Sequence, residues 1–186
     1  MNQKIFKLIV LIYFPLFFFS NLYAKEDVIY GGFSYGSIIP DNSYTKFLLK
    51  RSNGLSFLEK IFLDTTKKIN NNSFKISYEL LSDNLSEDDQ NVIVLALDSE
   101  QIEHITITGD DITRTDIILN FQIIFFNAKN NFLTASIPLE INKSVNSQKK
   151  LTKEEIIQEL KKLYENDVMK HFLQVTQNFN LKTKYK

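Results

Sequence analysis

The stretch Asp116–Ile141, DIILNFQIIFFNAKNNFLTASIPLEI, decides the fold of this chain, because nowhere else is the apolar content so dense or so regularly patterned. Two runs rich in Ile, Leu and Phe flank Asn127-Ala128-Lys129-Asn130-Asn131. Asparagine accepts the left-handed backbone conformations that tight connections need, so the stretch reads as a β-hairpin. Alternate residues of its first strand fall into two sets. Ile117, Leu119, Phe121, Ile123 and Phe125 are wholly apolar and are expected against helices. Ile118, Asn120, Gln122, Ile124 and Phe126 are only partly polar, which suits a face covered by another element or by a partner.

Upstream, Val92–Leu97 (VIVLAL) has no polar alternate and reads as a strand covered on both faces. Past a kink at Asp98-Ser99 it continues through Gln101–Thr108, and Gly109-Asp110-Asp111 turns into the hairpin. Phe74–Leu80 alternates strictly, as a half-buried strand does. Val28–Ser37 is strand-like, and its glycines at 31, 32 and 36 suggest a bulged, twisted edge strand. Pro40-Asp41-Asn42-Ser43 breaks it, and Tyr44–Arg51 reads as loop or a short irregular segment.

Two helices complete the pattern. Leu55, Leu58, Ile61, Phe62, Thr65 and Ile69 form one stripe, with Ser52 or Asn53 as the cap and Asn70-Asn71-Asn72 as a left-handed stop that serves as a turn and nothing more. After a polar linker, Ser144–Lys150, the run Thr152-Lys153-Glu154-Glu155 is a capping box, with Leu151 and Ile156 placed to close a hydrophobic staple. The helix it starts buries Ile156, Ile157, Leu160, Leu163, Tyr164, Val168, Phe172, Val175 and Phe179, and ends near Phe179. The expected fold is α+β: an antiparallel meander sheet of about four to five strands with two helices packed on one face. In its order of elements, though in no quotable motif, this resembles the small sheet-and-helix domains of bacterial envelope accessory proteins.

Residues 1–24 carry Lys4 and Lys7, an apolar run from Leu8 to Phe19 and a polar turn closing on Ala24, the layout of a signal peptide. The apolar run is shorter than the roughly 20 residues of a comfortable membrane span, so cleavage after Ala24 is expected, an uncleaved anchor being the alternative. Either way the remainder is exported, to a periplasm or beyond. The domain expected is 25–180, with 181–186 a frayed basic tail. Without Lys4 and Lys7, 20 basic residues face 22 acidic ones, a formal net charge of −2 that disfavours nucleic acid as a partner. With no cysteine, neither disulfides nor thiol chemistry is available. In a glycosylating secretory pathway Asn71-Asn72-Ser73, Asn84-Leu85-Ser86 and Asn142-Lys143-Ser144 would be acceptor sequons.

Reactive constellations are sparse. There is no phosphate loop, dinucleotide fingerprint or nucleophile elbow. The acidic stretch Ser82–Asn91 lacks the spacing of a calcium loop. Glu100, Glu103 and His104 are the nearest approach to a site, but in a strand Glu100 and His104 lie roughly 13 Å apart on one face, too far to share a metal. His171 reads as a surface residue. No metal, cofactor or catalytic residue is expected. Two functions fit: a non-catalytic envelope protein that binds another protein or assists assembly at a membrane, or a carrier enclosing an apolar small molecule between sheet and helices. The residues expected at the ligand or partner surface are Phe121, Phe125, Phe126 and Phe132.

Overall fold

The computed structural model describes residues 25–36, 41–51, 54–78, 90–107, 109 and 111–181. The leader of residues 1–24, Ser52, Asn53, the acidic stretch 81–89 and the tail 182–186 lie outside them. The strands are β1 (Glu26–Tyr35), β2 (Phe74–Ser77), β3 (Asn91–Ile107), β4 (Ile112–Asn127) and β5 (Leu133–Ser147). The helices are α1 (Thr45–Leu48), α2 (Phe57–Thr66), α3 (Lys153–Leu163) and α4 (Met169–Asn178), with a π-helical turn, Tyr164–Val168, joining the last two.

The chain is α+β, but its sheet is mixed rather than an antiparallel meander. Strand order is β2-β1-β3-β4-β5. β3, β4 and β5 do form a meander, whereas β1 runs parallel to both β2 and β3. Parallel neighbours need crossover connections, and the chain supplies long ones between β1 and β2 and between β2 and β3. β1 is therefore an interior strand, not the edge strand expected. Its glycines still make a bulge: the register with β3 shifts between Tyr30 and Phe33, where Gly32 has φ 87°. At Gly31 a Cβ would stand 2.5 and 2.7 Å from the side chains of Val92 and Val94, so only glycine lets the two strands approach this closely.

The hairpin forms as the alternation predicts, with strands longer than the sequence pattern suggests. β5 absorbs most of the expected linker. Asn131 takes the left-handed conformation at φ 54°. Ile117, Leu119, Phe121, Ile123 and Phe125 are all buried. The first half of β3 is buried on both faces, and the kink at Asp98 is a bulge between Leu97 and Ser99. On the opposite face of β4 the polar residues are stitched to their neighbours: Gln122 donates to Asp98 and accepts from Ser136, and Asn120 donates to Ser99. β5 has no second strand partner among the described residues; Pro138 is tolerated there because an edge strand needs no N–H on its outer side.

The helices supply the rest of the core. α2 starts at Phe57, two residues later than the expected Leu55, where Ser56 and Glu59 form a capping box. It ends at Thr66 with Lys67 in right-handed conformation, so the asparagine run does not stop it. Thr152 and Glu155 form the second box as expected. Tyr44–Arg51, expected irregular, contains α1.

The buried positions Ile156, Leu160, Tyr164, Val168, Phe172 and Thr176 recur every four residues. Each such step rotates the inward face by about 40° in an α-helix of 3.6 residues per turn. The wider π-turn, closed by Met169 N–H on the Tyr164 carbonyl, takes up part of that drift. Edge contacts join Tyr164 to Phe33 and Phe121, and Phe62 meets Tyr30 and Phe172. Each fully buried Phe contributes about 1.5–3 kcal/mol of transfer free energy.

Candidate functional site

The four aromatic residues expected at a ligand or partner surface separate cleanly. Phe121 and Phe125 are buried in the core, at 1% and 0% exposure. Phe121 packs against Phe33 and Tyr164, and Phe125 against Phe74 and, stacked at 4.9 Å, Phe179. They fill space between sheet and helices, where Phe33, Phe74, Tyr164 and Phe179 meet their rings. Phe126 is half-buried on the other face, paired across the ladder with Leu133. Phe132 stands at the hairpin tip, 70% exposed, with Leu133 beside it at 55%. Three cavities among the described residues, of about 480, 240 and 180 Å³, are lined by other residues.

The 240 Å³ cavity lies on the helix side of the sheet, where β3 and β4 run on past the helices. Glu100, Ile102 and His104 enter it from β3, and Ser43, Tyr44 and Lys150 close it. The bulge at Asp98 is what brings these three β3 residues to the helix side, opposite Leu119, Ile117 and Thr115. Glu100 and His104 thus share a face, as the strand period requires, yet each is engaged separately.

The Glu100 carboxylate accepts from the backbone N–H groups of Tyr44 and Thr45 at 2.7 and 2.9 Å and from the Ser43 hydroxyl at 3.1 Å. It thereby satisfies the donor end of α1, which has no side-chain cap of its own. Thr45 continues the chain of contacts inward to the Tyr164 hydroxyl, 3.0 Å away in the core. Burial drives the Tyr164 phenol well above its usual range, and burial together with Glu100 pushes Tyr35 up to about 12. His104 Nδ1 lies 3.0 Å from the Thr115 hydroxyl, and burial with nearby Lys150 lowers its pKa. The arrangement is a latch between β3 and α1. Its carboxylate oxygens accept three bonds from the chain itself.

The 480 Å³ cavity sits at the other end of the sheet, an open recess between Asn71-Asn72-Ser73 and Gln177–Asn180. Here the asparagine run, expected as a plain turn, carries a second latch. Asn71 is 3% exposed. Its amide nitrogen donates to the carbonyls of Thr176 and Phe179, both at 2.7 Å, and of Gln177 at 3.2 Å, satisfying the acceptor end of α4. Its carbonyl accepts from Ser73 N–H and hydroxyl and from Phe74 N–H. An amide so engaged has no room for a sugar, so the Asn71 sequon cannot be modified in this fold. Leu181, expected in a frayed tail, is buried and donates its N–H to the Ser73 hydroxyl.

Neither latch was legible as a site. The sequence signal for Glu100 is an acid in a strand pattern, and for Asn71 one asparagine among three; the helix ends both serve lie more than 50 residues away. Among the described residues, no group of three or more His, Cys, Asp or Glu is placed to hold a metal ion, and no helix is long and apolar enough to cross a membrane.

No family model and no curated protein matches the chain. Among solved structures it is similar to a neuraminyllactose-binding hemagglutinin homolog from Helicobacter pylori, at 12% identity over 84% of this chain and 87% of that one, with a TM-score of 0.44. It is also similar to a minor lipoprotein from Acinetobacter baumannii, at 10% identity over 82% and 90% of the two chains with a TM-score of 0.38, and to an uncharacterized protein, at 8% identity over 81% and 90% with a TM-score of 0.37.

Proposed function

We propose that this protein is a non-catalytic, exported accessory domain of the cell envelope, which acts by binding another protein at or near a membrane. The observation that carries the reading is the filled interior: Phe121 and Phe125 are spent on packing, while Phe132 and Leu133 are left in solvent. A carrier needs the reverse, an enclosed apolar space with the rings on its wall. Export is read from the leader of residues 1–24. A non-catalytic role agrees with the engagement of Glu100 and His104 by neighbouring groups of the fold.

Native mass spectrometry of the protein, extracted gently from its own envelope fraction, tests this. A protein companion, held without covalent bonds, is the expected result. An added mass of a few hundred daltons that leaves on denaturation would establish the carrier instead.

A further inference from the structure

The 240 Å³ cavity beside the Glu100 latch holds two nitrogen bases that the fold brings together without an anion between them. His104 and Lys150 both line it. They lie close enough that the Lys150 ammonium, after burial as the larger cause, lowers the His104 pKa. Among the described residues Lys150 makes no ion pair. The His104 ring is anchored through Nδ1 to the hydroxyl of fully buried Thr115, and its Nε2 has no hydrogen-bond partner among the described residues.

The acids nearby are committed elsewhere. Glu100, the one carboxylate in the cavity lining, accepts from Ser43, Tyr44 and Thr45 and sits four strand residues from His104, roughly 13 Å along β3. Asp41 pairs with Lys46, and the Glu155 carboxylate closes the Thr152 box. Two further lysines border the same side of the molecule: Lys50 and Lys153 stand over the Phe47 ring, 4.6 and 3.8 Å from its centre. Two positive charges held on one ring add to the local field that an approaching anion meets.

On the reading that this domain binds another protein, we propose that the cavity is where the partner is held, by a glutamate or aspartate side chain whose carboxylate enters between His104 and Lys150. The size agrees: 240 Å³ is below the roughly 300–1,000 Å³ of pockets that enclose a whole small molecule and suits a single side chain. Lys150 supplies the charge and His104 Nε2 a hydrogen bond. A carboxylate seated there favours the imidazolium, so binding takes up a proton and tightens as pH falls through the His104 midpoint. The other groups around that ring are Glu100 on β3, Thr115 on β4 and Tyr44 before α1.

The chain has two histidines, so imidazole NMR signals give a paired readout: His104 in the cavity, and exposed His171 on α4, its Nδ1 at the Asp167 carbonyl. The probe is N-acetylglutamate amide, which carries one side-chain carboxylate. N-acetylglutamine amide is its neutral counterpart, and sodium chloride matches the ionic strength. With the acid, the His104 signal is expected to move saturably and its titration midpoint to rise. The amide and the salt are expected to leave it in place, and His171 to stay unmoved throughout. K150Q, at an exposed position that the fold tolerates, is expected to weaken the probe about fivefold. Equal movement of both histidines, movement with the glutamine derivative, or an undiminished response in K150Q overturns the proposal. So does a free organic acid found bound to the native protein and lost from K150Q, which would put a small molecule where the side chain is assigned. If the histidine test fails, a companion protein can still be found bound at another surface; if no companion is found, the histidine result stands, so the two readings fail separately.

Discussion

Asn71 and Glu100 do the same job at opposite ends of the sheet, and they do it with opposite chemistry. Asn71 presents amide hydrogens to the carbonyls that α4 leaves without partners, and Glu100 presents carboxylate oxygens to the N–H groups at the start of α1. Each matches the polarity of the helix end it serves, donors to the negative end and an anion to the positive one. They differ in burial. Asn71 is almost wholly enclosed, whereas Glu100 is only half-buried. The neutral group occupies the drier place, as the cost of enclosing charge demands.

The strongest way to break this comparison is N71D, which sets a carboxylate against three carbonyls in a buried site. A loss of about 3 kcal/mol or more is expected, read as a fall of roughly 6–12 °C in the midpoint of thermal unfolding. A loss below that of E100Q would show that the amide's polarity does not matter. E100Q, which keeps the shape and removes the charge, is expected to cost about 1–2 kcal/mol by denaturant titration, since the retained amide can still accept one or two of the three bonds.

T152A is the yardstick for an exposed cap, at about 1 kcal/mol; if E100Q costs no more, its partial burial adds nothing. A third carboxylate sharpens the comparison by pH. Arg51 beside Glu59, with help from the Ser56 cap and against some desolvation, holds the Glu59 carboxyl at about 2. A carboxyl depressed in the folded state binds protons more readily in the unfolded one. Its contribution is thus complete above about pH 4.5 and is lost as pH falls toward 2. R51A should flatten stability across that window, with its loss present at neutral pH and vanishing as pH falls toward 2. The smallest effect belongs to F132S, within about 0.5 kcal/mol by thermal unfolding, because the ring touches solvent. A large loss there would mean that the tip is part of the core.

Local pattern made much of the architecture readable. The strict alternation over Ile117–Phe125 placed one face of β4 inward, the Thr152 and Glu155 pair started α3, and the polar residue at Asp98 marked the break in β3. In each case the cause lies within a few residues of the effect. The Ser56 and Glu59 box obeys the same rule and was readable, but the upstream Ser52 and Asn53 offered the same cap chemistry. The apolar identity of Phe121 and Phe125 was also plain, though not whether rings would meet rings or leave a space.

What only the tertiary structure decided depends on distance along the chain. Alternation places a strand's faces but is silent about its neighbours, so the parallel insertion of β1 between β2 and β3 has no local signature. The four-residue recurrence from Ile156 to Phe172 was visible, but the π-turn that accommodates it was not. The sequence by itself determined the five strands, the helix after Ser56 and the long one after Thr152, and which of their faces are apolar. Tertiary contact alone assigned Asn71 and Glu100 to helix ends and left Phe132 outside. The reason is physical: a hydrogen-bonding group or a ring acquires its role from the partner it meets, and here those partners come from remote parts of the chain.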